Sequence, residues 1–355
     1  MGGVLQLLCA RSPWWATAVA CVLVLAGPPP AAAGVAEDAA VLIERGDLPG
    51  ARSLLATAAE AGDAAAQALL GSLYAYGRGV ARDDALAWRW YERSAAQGHP
   101  EGQYNAGVML EHGRGVGRDV AAAAKQYRLA AEQGHASAAY NLGRLHAVGE
   151  GVARDDAQAL QWFRRAAEAG HAGAANGVGL LHLAGRGVPA DAAAALGWFM
   201  KAAQAGHAPA QYNVARLLAE GQGTTKDAGA AMAWLRRSAQ GGYSEAQAQL
   251  GVRHLRGTGV EQSDGEAARW LTAAAERGHA LAQGVLGNLY DEGRGVPRDH
   301  LRACFWWSLA ARTVAPLAEL RDAGCARLAG EQRAEVERRL RDWQAIPAEQ
   351  PVGQR

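Results

Sequence analysis

Imidazole is the commonest metal ligand and the side chain that titrates nearest neutrality, so the ten histidines are where chemistry would show first. Five of them, His99, His135, His171, His207 and His279, fall on a single 36-residue grid. That grid argues against a metal centre. Each of the five opens a separate stretch of chain, packed helices lie about 8–10 Å apart, and zinc holds its nitrogens at about 2 Å. No H-x-x-x-H or C-x-x-C spacing occurs, and no metal is expected. The five are read as residues that shape the turn between successive units. His146, His182 and His254 share a second position with Tyr74 and Tyr290, which reads as a ring packing beside another turn. His112 and His300 stand alone and are expected on the surface.

Of the four cysteines, Cys9 and Cys21 lie in a segment expected to be removed, which leaves Cys304 and Cys325. A pair in an oxidising compartment permits one disulfide, closing a loop of about 20 residues. Cys304 also occupies a position filled elsewhere by Leu160, Leu196, Met232 and Ala268, so a free, buried, apolar cysteine is the other reading. Neither has a neighbouring His/Asp arrangement that would make it a nucleophile. Gly-x-Gly phrases such as Gly113-Arg114-Gly115 invite a phosphate-loop reading. None runs on into G-K-[ST] or follows a strand pattern, and no cofactor is expected.

Those phrases serve better as a ruler. They stand at Gly77/Gly79, Gly113/Gly115, Gly149/Gly151, Gly185/Gly187, Gly221/Gly223, Gly257/Gly259 and Gly293/Gly295, each 36 residues from the last, with no insertion. A fixed period of this length marks a stacked repeat protein. The expected fold is all-α, a right-handed α-solenoid of helix-turn-helix repeats. Seven full repeats run 63–98, 99–134, 135–170, 171–206, 207–242, 243–278 and 279–314. In the third, His135–Val148 forms a first helix, Gly149 to Gly151 turns the chain, and Asp155 caps a second helix. Ala159, Trp162, Phe163 and Ala166 recur at i, i+3, i+4, i+7 as its buried stripe. The tryptophan returns as Trp90, Trp198, Trp234, Trp270 and Trp306, with Gln126 departing. Gly71, Gly107, Gly143, Gly179, Gly251 and Gly287 keep one site in the first helix small, with Ala215 the substitute. A mid-helix glycine costs roughly 1 kcal/mol against alanine, so its recurrence implies a close helix–helix crossing.

Flanking segments complete the organisation. Residues 1–33 read as a secretory signal peptide: Arg11, an apolar Trp14–Ala26, then Ala31-Ala32-Ala33 as a cleavage site. The apolar run is short for a bilayer span, which needs about 20 residues, so no integral span is expected after cleavage. Residues 34–62 read as a degenerate capping repeat, 315–344 as C-terminal capping helices and 345–355 as a disordered tail. The formal net charge is +1 and falls to zero once Arg11 is removed, which gives no electrostatic case for nucleic acid.

The phrases His135-Ala-Ser-Ala-Ala-Tyr-Asn-Leu-Gly143, Gly149-x-Gly-Val-x-x-Asp155 and Trp162-Phe163-x-x-Ala166-Ala167-x-x-Gly170 resemble the Sel-one-like repeat family, a relative of the tetratricopeptide repeat. The resemblance implies a non-enzymatic scaffold or adaptor that binds a protein or peptide partner, with a concave face lined by the first helices. For an exported bacterial member it implies an envelope, periplasmic or secreted complex. It also raises a β-lactamase-like or penicillin-binding alternative, whose members are rich in cysteine where this chain is not. On the first helices Tyr104/Asn105, Tyr140/Asn141 and Tyr212/Asn213 recur at one place and are candidate contacts, although Tyr-Asn also belongs to the repeat consensus. Positions that vary between repeats carry recognition better. Arg144 and Arg216 are therefore the first candidates, at a site held elsewhere by Ser72, Val108, Leu180, Val252 and Asn288.

Overall fold

Second helices begin where an aspartate can accept a free N–H. The carboxylates of Asp83, Asp119, Asp191, Asp227 and Asp299 each take the backbone N–H three residues on, at 2.8–2.9 Å, and Ser263 does so at 3.2 Å. First helices begin on imidazole. The Nδ1 atoms of His99, His135, His171, His207 and His279 accept from Gly102, Ala138, Ala174, Ala210 and Ala282 at 3.0–3.4 Å. Asp63 makes the equivalent cap in the first repeat at 2.8 Å. Tyr243 opens the sixth with no side-chain cap. The turn expected of these histidines is thus a helix cap, which needs the neutral ring.

The resulting protein, a computed structural model describing residues 33–346, has 18 helices and no strand among those residues. Pro100–His112 and Val120–Glu132, each of 13 residues, show the pattern of one repeat. The signal-peptide reading lies outside the described residues except for Ala33, which starts the first helix, and so does the tail from 347 onward. The chain divides between Asp155 and Asp156 into two compact units. The first holds the helix pair Ala33–Glu44 and Leu48–Glu60, two repeats and the first helix of the third. The second holds the remainder of the repeats and the C-terminal helices Leu317–Cys325 and Gly330–Asp342.

The two glycines of each turn do different work. Gly113, at φ +66°, ends its helix in the left-handed region, its N–H returning to the Met109 carbonyl. Gly115, at φ +67°, lies against the start of the preceding second helix, where a β-carbon would run into the backbone of Asp84. The mid-helix glycines are sockets for rings. A β-carbon on Gly107 would lie 2.7 Å from the Tyr127 ring, and one on Gly179 would lie 2.6 Å from that of Phe199. Tyr127 and Phe199 are fully buried in these sockets, while Leu271 takes the ring's place against Gly251.

That geometry sets the depth of each place within the expected stripe. Trp90, Trp162 and Trp306 are buried, but Trp198, Trp234 and Trp270 are only partly so. Lys201, Arg237 and Arg269 lie over those three rings at 4.2, 4.6 and 4.5 Å, shielding a face that the core does not take. The side chains that go deepest are the next ones along, Phe199, Leu235 and Leu271.

Cys304 and Cys325 are bonded, with Cα atoms 5.1 Å apart, and Cys304 is buried as its repeat position demands. The bond joins the last repeat to the C-terminal helices, where Leu328 and Val336 share its small core. The Arg312 guanidinium donates to the Leu340 carbonyl at 3.2 Å, and the Ile346 N–H to the Glu276 carbonyl at 2.8 Å. Residues 345 and 346, expected to begin a disordered tail, are therefore docked.

Candidate functional site

The varying position on the first helices is where recognition was expected, and the structure treats its two arginines differently. Arg144 forms an ion pair with Glu111, a carboxylate more than nine-tenths buried. The other oxygen of Glu111 accepts from the Tyr127 hydroxyl at 2.8 Å. The Asn141 side chain bonds that same hydroxyl, and burial, followed by the Glu111 bond, raises the Tyr127 pKa. Asn141 and Arg144 are thus parts of an internal network of the first unit.

Tyr104 and Asn105 are also engaged there. The Tyr104 ring stacks on His135 at 4.5 Å and 22°, and burial first, then the nearby Glu101 charge, pushes its pKa up to about 12. Asn105 donates to the carbonyl and the carboxylate of Glu101 at 3.0 and 2.9 Å. His135 Nε2 lies 3.1 Å from the same carboxylate. Burial pushes Glu101 up, and the bonds from His135 and Asn105 more than reverse it, leaving the carboxyl below its ordinary value. Tyr140 is half-buried.

In the second unit the corresponding residues are less committed. Arg216, half-buried like Arg144, meets the exposed Glu220 only at 4.0 Å. Tyr212 sits edge-on to Tyr243 at 5.4 Å, half-exposed. Asn213 donates to Asn176 at 2.9 Å, joining two adjacent first helices. Leu180, at the position of Arg144 and Arg216, is 45% exposed, and Leu281 is 62% exposed, which puts apolar area in water along the same set of helices. Asn288 alone is spent, accepting from the Trp307 indole at 2.9 Å.

Two features escaped the sequence reading although the repeat grid could have shown them. Glu111 is one of two acids, with Asp291, at a position otherwise held by Ala75, Ala147, Leu183, Ala219 and Leu255. Arg114, Arg186 and Arg294 each reach back 30 residues to Asp84, Asp156 and Asp264, tying one repeat to the next. Two guanidiniums, Arg82 first and then Arg114, hold the Asp84 carboxyl well below the usual carboxylate range.

Among the described residues no group of three or more His, Cys, Asp or Glu could hold a metal ion, and no helix is long and apolar enough to cross a membrane. An open cleft of about 610 Å³ lies by one turn, lined by His182, Val188, Pro189, Asp191 and Gly223. Its carboxylate, Asp191, already caps a helix through the Ala194 N–H at 2.9 Å. Cys304 and Cys325 are bonded to each other, so neither of these two offers a thiolate.

Paired helices of fixed period, each started by a side-chain or backbone cap and packed on its neighbour, define an α-helical repeat solenoid. The chain belongs to the Sel1 repeat family, whose model matches residues 64–99, 100–135, 136–171, 172–207, 208–243, 244–279 and 280–312. Proteins built of these repeats are in general scaffolds for protein–protein interaction. A Sel1 repeat protein from Oxalobacter formigenes is 35% identical, with a TM-score of 0.67, over 78% of this chain and 80% of that one. A protective antigen of uropathogenic Escherichia coli strains, displaying an SLR fold, is 28% identical over 82% of this chain and 79% of that one, with a TM-score of 0.42. No curated protein matches the chain.

Proposed function

We propose that the protein is a non-enzymatic adaptor that holds a protein or peptide partner along the first helices of its second unit. The observation that carries this reading is the contrast at one repeat position. Arg144 is locked onto buried Glu111, whereas Leu180 presents an exposed apolar surface and Arg216, half-buried to the same degree as Arg144, meets only the solvated Glu220 at 4.0 Å. Tyr212 and the Asn213–Asn176 pair lie one turn earlier on the same helices and supply a flat contact and an amide. Binding would be spread over several repeats, as rigid presentation of a long face allows.

We place it in the bacterial envelope or outside the cell, as a component that assembles or regulates a complex there. The signal-like residues 1–33 and the Cys304–Cys325 disulfide, a bond suited to an oxidising compartment, support export.

Crosslinking in the native host followed by mass spectrometry should capture one partner reproducibly. Capture should fall at least tenfold in the double variant Leu180→Glu/Arg216→Glu, with helicity and melting unchanged. Undiminished capture would move the binding face elsewhere. Sustained turnover of a chromogenic β-lactam by the purified protein would replace the reading with an enzymatic one.

A further inference from the structure

An imidazole caps a helix only while Nδ1 keeps its lone pair. The imidazolium has two donors and no acceptor, and would turn an N–H against the very N–H it was holding. Capping five first helices with histidine therefore couples their starts to pH, where Asp63 in the same role has a carboxyl oxygen that can accept in either protonation state. The five are not equally exposed to that weakness, because other contacts back some of them.

At His135 and His279, Nε2 meets a carboxylate of the preceding first helix, Glu101 at 3.1 Å and Glu245 at 2.9 Å. A carboxylate there holds the cation as well as the neutral ring. Burial first holds the His99 pKa below its ordinary value too, with Glu101 and Asp63 opposing and His135 adding, but its repeat is tied back by Arg114 to Asp84 at 2.8 Å. His171 opens the repeat that Arg186 ties to Asp156.

His207 has neither support. The residue matching Glu101 and Glu245 is Gly173, close enough that a β-carbon on it would lie 3.7 Å from His207 Nε2. The residues matching Asp84 and Arg114 are Ala192 and Gln222, so no ion pair spans this junction in that place. What faces the ring is His171 with Gly173 from the preceding first helix, and the second helix before it, whose Ala202 carbonyl takes the His207 N–H at 3.0 Å. His171 is another base, whose cation would repel. Among the described residues this is the one histidine-capped junction that lacks both devices.

We infer that protonation of His207 releases the start of the helix Ala208–Glu220 and makes the junction of the fourth and fifth repeats the first part of the array to open as pH falls below neutrality. That helix carries Tyr212, Asn213 and Arg216, so opening would deform the candidate face and release what it holds. This consequence rests on the protein-binding reading, and the opening itself does not. Burial first, and His171 second, hold the His207 pKa below its ordinary 6.5. The folded chain thus prefers the neutral ring, and the stability it confers is complete above about 6.5 and lost as pH falls towards the folded value.

Amide hydrogen exchange of the full chain, without any partner, tests the hinge alone. After correction for intrinsic exchange, opening of the segment 207–214 should rise about five- to tenfold between pH 7.5 and 5.5. His207→Asn, which keeps a capping acceptor at both pH values, should abolish the rise. Gly173→Glu, which leaves the histidine and supplies the missing carboxylate, should reduce it. Equal opening at both pH values in the wild type would overturn the inference, as would an undiminished rise in His207→Asn. Loss of the partner-capture result would remove the binding reading and leave these exchange data standing.

Discussion

The two units build the same helix pair and spend its polar residues differently. In the first, Tyr104, Asn105, Asn141 and Arg144 are drawn inward by Glu101 and Glu111, two acids set where most repeats have a small or apolar residue. In the second, those places are Gly173, Pro209, Glu245 and Leu281 or Leu183, Ala219, Leu255 and Asp291, so around Leu180 and Arg216 neither place holds an acid. A carboxylate buried beneath a helix face attracts the cations and amides that a partner would otherwise meet. The difference teaches that a repeated residue type is not a repeated role. What sits beneath it decides whether it binds inward or outward.

The staple at the end of the second unit should show the largest effect. Cys304→Ser/Cys325→Ser, or the reduced wild type, should lose about 3 kcal/mol for a loop with a 21-residue separation, seen as a lower urea midpoint for the C-terminal helices. An equal shift in probes of the first unit would show that the units do not respond separately. Next, Glu111→Ala should cost about 2–3 kcal/mol, because it strands the Tyr127 hydroxyl and the half-buried Arg144. A silent result in chemical denaturation would dissolve the contrast between the units. The sharpest comparison is the smallest in energy. Arg144→Glu, placing a second acid beside Glu111, should destabilise by about 1–2 kcal/mol, while Arg216→Glu should stay within about 0.5 kcal/mol. Equal thermal shifts for the two would mean that both arginines play one role.

Much of this was legible from spacing. The Gly-x-Gly grid gave the number of repeats and their boundaries, and the aspartates gave the second-helix starts, because cap and turn chemistry is local to a few residues. The histidines were placed correctly at the turns but not recognised as caps, since imidazole is not among the usual capping residues. The stripe holds, but in three repeats its tryptophan place, Trp198, Trp234 or Trp270, lies at the half-buried edge. Helical periodicity alone could not say which of two adjacent rings, such as Trp198 and Phe199, would enter the Gly179 socket.

The sequence by itself determined the all-helical repeat, its period and its turns, because each depends on interactions within a few residues of chain. The disulfide was left open by the sequence and decided by the fold, which brings the Cα atoms of Cys304 and Cys325 to 5.1 Å. The fate of Arg144 and Arg216 was decided in the same way. They occupy one position in the repeat and are equally half-buried, and only tertiary packing sets a buried carboxylate 33 residues back beneath the first and leaves the second with the solvated Glu220 on its own helix. A charge takes the partner that the fold brings to it, and that partner lies outside the reach of local pattern.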